Sequence, residues 1–378
     1  MIGDIKSINF WDFLILFLLA WIIIFQEIFG LGQYSTRVVI PGVLAIYLIR
    51  DYSNNSLFKN LNKMKYFIIF IIWSSLVSLA ALDLGLAQQT QLKLILSSIV
   101  TYLIISYLNS DSDGLKKLLN FYFFPCFIIL IYFTINPPSR ELGIVGALNA
   151  NSYGFYGVIA SVIATISFLN SKKTILPLAI MIITLVLSYQ VVTASASRGG
   201  FLMISICFLV MLLAVSIRYK LLSVANFAFL IFFSFIIYQI IYFLYQDLLD
   251  SFLFFRFEDT QSSGRFIHMQ EAFKVGSNNM LFGVGGGNYA VQPRYFEFGS
   301  FSHNAVLESF ANYGLLGLIS YLLLFVEIFR TSIKNISISL VLIFIIFALV
   351  QNYYVVYLLP WFFPFFYISQ HIKKLSRT

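Results

Sequence analysis

The chain has 378 residues, 60% of them hydrophobic, 18% aromatic and only 11% charged, with a formal net charge of +8 and a mean hydropathy of +0.88. Soluble globular proteins carry about 25% charged residues, so this balance excludes that class; unbroken apolar runs, rather than alternation, exclude a membrane β-barrel. The composition predicts an all-α polytopic membrane protein forming one integral domain over 1–378.

Twelve apolar spans are expected, at roughly 10–29, 37–50, 66–82, 92–108, 116–135, 153–169, 174–192, 199–217, 221–244, 304–329, 336–355 and 356–370, against about 20 residues per crossing. The second and the last are short. The first is too long for a cleaved signal peptide and lacks a small-residue cleavage site. Cys126 and Cys207 both lie inside apolar runs and read as buried small hydrophobes, not as a disulfide or a metal site. There is no internal repeat, low-complexity tail or second soluble domain.

With the N-terminus inside and loops alternating, sixteen of the 24 Lys and Arg residues fall on the inside and eight outside. Four of those eight lie in one long loop, so the short loops divide sixteen to four. This positive-inside bias puts both termini in the cytoplasm and the long loop, 245–303, on the outer face. The basic excess then reflects topology and not a nucleic-acid patch. Asp111-Ser112-Asp113 falls on a short inner loop and reads as a solvated turn, not as a nucleotide-sugar motif.

The outer face retains a small set of polar residues. ALNANSY, 147–153, supplies Asn149 and Asn151, suited to sugar hydroxyls or to turns; Arg140, on the same outer connection, is grouped with them as a substrate contact. TASASRGGF places Arg198 among Ala194, Ser195, Ala196, Ser197, Gly199 and Gly200. An arginine at membrane depth faces a cavity or a partner, and small neighbours leave room for a bulky anion beside the guanidinium; the plainer role is an anchor that snorkels to headgroups.

The long loop contains SSGRFIHMQEAFKVG, predicted as a short amphipathic helix with Phe266, Met269, Ala272 and Phe273 on one face. It would lie on the membrane surface, capped by Ser262 or Ser263, with Arg265 in its first turn and His268 as a solvated bystander. LFGVGGGNY follows. Gly283, Gly285, Gly286 and Gly287 permit a tight loop, either a plain turn or an anion nest of backbone N–H groups. SFSHNAVLESF then opens the tenth span, with His303 and Asn304 at its mouth and Glu308 on the helical face of Asn304; the plainer reading is capping by Ser302.

In that order, SRGG, GR-x-x-x-x-x-x-A, LFGVGGGNY and SHNAVLESFANYGLLGLISYLLL, with NANSYG upstream, resemble the O-antigen ligase and O-antigen polymerase superfamily over about 140–330. The resemblance implies a multi-spanning (GT-C-like) glycosyltransferase at the outer face of the bacterial inner membrane, acting on polyprenyl-diphosphate-linked glycans. It implies catalytic roles for Arg198, Arg265 and His303. Asn304, Glu308, Asn149, Asn151, Arg140, Gly285 and Gly287 are expected to contact substrate, and neither a metal nor a cofactor is called for. Expected partners are the glycan donor, a glycan or lipid A-core acceptor, the bilayer, a chain-length regulator and a flippase; nucleic acid is not among them.

The residues suit that chemistry. Charge accumulates on a departing lipid diphosphate, where planar bidentate donors act best. A histidine, which ordinarily titrates near ~6.5, can take the acceptor's proton, and nearby arginines favour its neutral form. A transporter or flippase is the competing class, but internal repeats and mid-membrane ionisable residues, expected there, are not evident. Within the enzyme reading, polymerase is preferred to ligase without a decisive sequence feature.

Overall fold

The computed structural model describes residues 65–110, 114–136, 144–145, 148–170, 175–194, 198–218, 265–291, 302, 304–333 and 339–343, with single positions at 42 and 336. The described elements in chain order are α1 (Lys65–Ser78), α2 (Leu84–Ser110), α3 (Gly114–Ile135), β1 (Ile144–Val145), β2 (Leu148–Asn149), α4 (Ala150–Asn170), α5 (Ile175–Ala194), α6 (Arg198–Arg218), α7 (Arg265–Asn278), a 3-10 turn (Asn288–Val291) and α8 (Ala305–Ser332). The all-α expectation holds apart from one small antiparallel hairpin, in which Ile144 pairs with Asn149 and Val145 with Leu148.

Seven of the twelve expected spans fall on described helices, with ends that move. α2 begins eight residues before its apolar run because LGLAQQTQ contains no proline and its one glycine, Gly85, sits in the first turn, so the stretch continues the same helix. The spans at 10–29, 221–244 and 356–370, all of 37–50 except position 42, and most of 336–355 lie outside the described residues. Among the described residues, two helices are long and apolar enough to cross a membrane, at Ile175–Ala194 and Ala305–Val326.

α4 is the central helix. From Tyr156 to Ile166 every residue is buried, as expected of a helix enclosed by others, and it packs against α3, α5 and α6. Small residues allow that approach: a Cβ on Gly157 would stand 2.8 Å from Ile204 and 3.0 Å from Ser188. Ser188 donates to the Gly157 carbonyl at 3.2 Å and lies 3.3 Å from the Ser161 hydroxyl. Small and hydroxylated residues at helix contacts are how apolar bundles gain close packing and specificity. Cys126 and Cys207 are free and buried in this core, as read from sequence.

α1 and α2 form an antiparallel pair tied by Gln91, whose Nε2 donates to Ser75 Oγ at 2.7 Å and Ser74 Oγ at 3.1 Å. α8 packs on α1 on one side and on α7 on the other. This places the turn after α7 between α1 and α8.

Candidate functional site

The site grows from the start of α8. Asn304, in extended conformation (φ −145°, ψ 107°), is its N-cap, and its side-chain oxygen accepts from the Val306 and Leu307 amides at 3.1 Å each. Ser302 supports the cap from outside: its hydroxyl accepts from Asn304 N–H at 3.1 Å and donates to the Asn304 carbonyl at 2.8 Å. Asn304 itself is therefore the cap that the sequence reading gave to Ser302, and its amide oxygen is committed to the helix. Glu308 lies one turn in, only 7% exposed; a carboxylate in a first turn is favoured by the helix dipole.

α8 then breaks. Gly314 has φ +68° and ψ −167°, a region that essentially only glycine reaches. Leu315 N–H, displaced from the helical ladder, donates to the Met280 carbonyl at 2.7 Å. The carbonyls at the opened turn accept from elsewhere: Ala311 from Val284 N–H at 3.0 Å, Asn312 from Gly285 N–H at 2.8 Å, and Tyr313 from the Trp73 indole at 2.8 Å. The glycine loop thus runs backbone-to-backbone along α8. A Cβ on Gly283 would sit 2.5 Å from the Asn312 carbonyl carbon and the Tyr313 nitrogen, and one on Gly314 would strike the Leu281 carbonyl.

The loop is fastened to α1 and α2 as well. Gly286 N–H donates to Ser78 Oγ at 3.2 Å. Asn288 accepts from Asp83 N–H at 2.7 Å and donates to the Asp83 carbonyl at 3.1 Å. Tyr289 N–H reaches Asn312 Oδ1 at 2.9 Å. The anion-nest reading meets a correction here: the amides of Gly283, Val284, Gly285 and Gly286 all donate to protein acceptors. Gly285 packs against Ala81 and Gly287 against Thr90, so the role visible for both is positional.

α7 is present as expected, but its apolar face is divided. Ala272 is buried and packs with Tyr289 and Ala311, and a Cβ on Gly276 would strike the Phe310 ring. Phe273, expected on the same face as Ala272, is 59% exposed. The close helix-to-helix approach at Ala272 and Gly276 sets the rotation, and bulkier side chains turn outward. His268 accordingly is not the solvated bystander of the sequence reading. Its side chain is 13% exposed, its Nδ1 lies 3.7 Å from Glu271 Oε2, and its carbonyl accepts from the Tyr289 hydroxyl at 2.7 Å.

Of the expected catalytic residues, Arg198 is the first residue of α6 and Arg265 the first of α7. His303 lies outside the described residues, between Ser302 and the Asn304 cap. Asn149 closes β2 and Asn151 is in the first turn of α4; Arg140, the Ser262 and Ser263 caps, Asp111-Ser112-Asp113 and the loop segments 219–264 and 292–301 lie outside the described residues. The structure brings together α7, the glycine loop and the mouth of α8. Sequence reasoning missed Trp73, Asp83, Asn288 and Asn312, which hold this cluster through contacts remote in sequence. Asn312 carried a faint signal, being eight residues beyond Asn304 on the same helical face.

No curated protein matches the chain. Residues 183–322, from within α5 through α6, α7 and the glycine loop into α8, match the model of the O-antigen ligase family, and the resemblance to the O-antigen ligase and polymerase superfamily is borne out over that stretch.

Proposed function

We propose that this protein is a glycosyltransferase that polymerises a bacterial surface polysaccharide, O-antigen or capsule, at the outer face of the inner membrane. The donor is a glycan on a polyprenyl diphosphate and the acceptor is a lipid-linked repeat unit. An acceptor hydroxyl oxygen attacks the donor's anomeric carbon. The new glycosidic bond forms as the bond from that carbon to the diphosphate oxygen breaks. The bonding pair leaves with the lipid diphosphate, and His303 takes the hydroxyl proton. Arg198 and Arg265 stabilise the charge developing on the leaving group. Asn304 and Glu308, with Asn149, Asn151 and Arg140, hold sugar hydroxyls, while Gly285 and Gly287 keep the mouth of α8 in place. Nothing in this scheme calls for a metal.

The observation that carries this reading is the match over 183–322, which contains Arg198, Arg265 and His303 in the expected order. The matching family takes its name from the ligase reaction, and that favours a second reading, transfer of the finished chain to lipid A-core. Deletion of the gene in its source strain separates the two. Loss of polymerase leaves surface lipid capped with a single repeat; loss of ligase leaves bare core and long chains on the carrier lipid. Unchanged glycan, with transport of another solute lost, would replace both with a transporter.

A further inference from the structure

We propose that the turn joining α7 to the glycine loop, Met280–Phe282, is a re-entrant tip inserted among the lipid chains of the bilayer, not a surface loop. Three observations meet there. The first is depth. The tip is bonded to α8 at Leu315, ten residues into the candidate span Ala305–Val326. At 1.5 Å per residue that is about 15 Å along the axis, near the middle of a hydrocarbon layer about 30 Å thick.

The second is polar satisfaction. Irregular backbone at membrane depth is tolerated only where protein meets its hydrogen-bonding groups. At the tip the Met280 carbonyl accepts from Leu315 N–H, and in the loop that leaves it Gly283, Val284, Gly285 and Gly286 N–H all find protein acceptors. The third is the outward surface. Met280, Leu281 and Phe282 are 54%, 60% and 60% exposed, three consecutive large apolar side chains that water would penalise. Phe282 stacks on Trp73 at 5.7 Å. The patch continues into exposed apolar stripes on both flanking helices, Ile69, Ile72 and Leu76 on α1 and Leu316, Ile319 and Val326 on α8. Spacings of three, four and seven residues keep each stripe on one face. The occupant that fits an uncharged patch continuous with a spanning helix is acyl chain.

The inference does not depend on the transfer reaction, and its test reads position rather than activity. Leu281→Cys and, separately, Gln270→Cys are made in the full chain, tagged with a nitroxide and reconstituted in phosphatidylcholine vesicles. The unsubstituted chain, whose two cysteines are buried, sets the labelling background. Collision of each nitroxide with oxygen, which concentrates in lipid, is compared with collision with a water-soluble nickel chelate. At position 281 oxygen should dominate severalfold, whereas at 270, exposed on α7, the chelate should. Met280→Cys and Phe282→Cys repeat the reading should the first variant fold poorly, and all tip positions should agree. Chelate collision at the tip equal to that at 270 would overturn the proposal. So would exclusion of both reagents, which would mean that protein covers the tip.

Discussion

Asn304 shows how one side chain sets the mouth of the site. Its oxygen caps two amides, so Asn304→Ala should cost about 0.5–2 kcal/mol, while Asn304→Asp, which retains the acceptor, should cost less. Thermal unfolding in detergent checks the order of the two. Gly314 is the less replaceable position. A Cβ there adds about 1–3 kcal/mol of backbone strain to a collision with the Leu281 carbonyl, so Gly314→Ala should lower the unfolding midpoint more than Asn304→Ala does. An unchanged midpoint would mean that the break in α8 does not need glycine. The local pattern gives the cap to Ser302, two residues before Asn304, since both residue types cap well, but that α8 is capped here could be read from sequence because capping is local. Gly314 could not, because its conformation answers to a loop about thirty residues upstream.

The same distinction holds for whole elements. Helices α3 to α6 were legible to within a few residues, since an apolar run bounded by polar residues is enough to mark a buried helix. α7 was legible as a helix with Ala272 and Phe273 on its apolar face, but not in which of them meets protein: close approach selects Ala272 and Gly276, and only the partner helix decides that. The glycine loop was legible as a turn, yet its amides are taken by α8 and α1, information absent from any local window. Trp73 links these elements. Trp73→Phe retains ring stacking on Phe282 but removes the donor to the Tyr313 carbonyl, and should cost about 0.5–1.5 kcal/mol. Tyr289→Phe, losing the bond to the His268 carbonyl, should loosen α7 and raise amide hydrogen exchange over 265–278; unaltered exchange there would mean that Ala272 packing alone holds the helix.

At the scale of the molecule, the sixteen-to-four charge division predicts orientation. Reporter fusions after Lys173 and Lys220 should score cytoplasmic, and fusions within Gly283–Tyr289 external; a cytoplasmic score for the latter would invert the site. Arg198→Lys keeps charge but loses the bidentate fork, so at matched protein levels it should shorten the glycan far more than Arg294→Ala. Equal effects would argue against a diphosphate at Arg198. The central claim, that the mouth of α8 carries out glycosyl transfer with His303 as base, is tested most directly by the rate of the purified full chain against pH, with lipid-diphosphate-linked glycan, for wild type and His303→Ala. The rate of the wild type should fall on the acid side as the imidazole gains its proton. His303→Ala should be about 10²–10⁴-fold slower, with that acid limb gone and the protein still folded. A variant with wild-type rate and an unchanged acid limb would contradict the account.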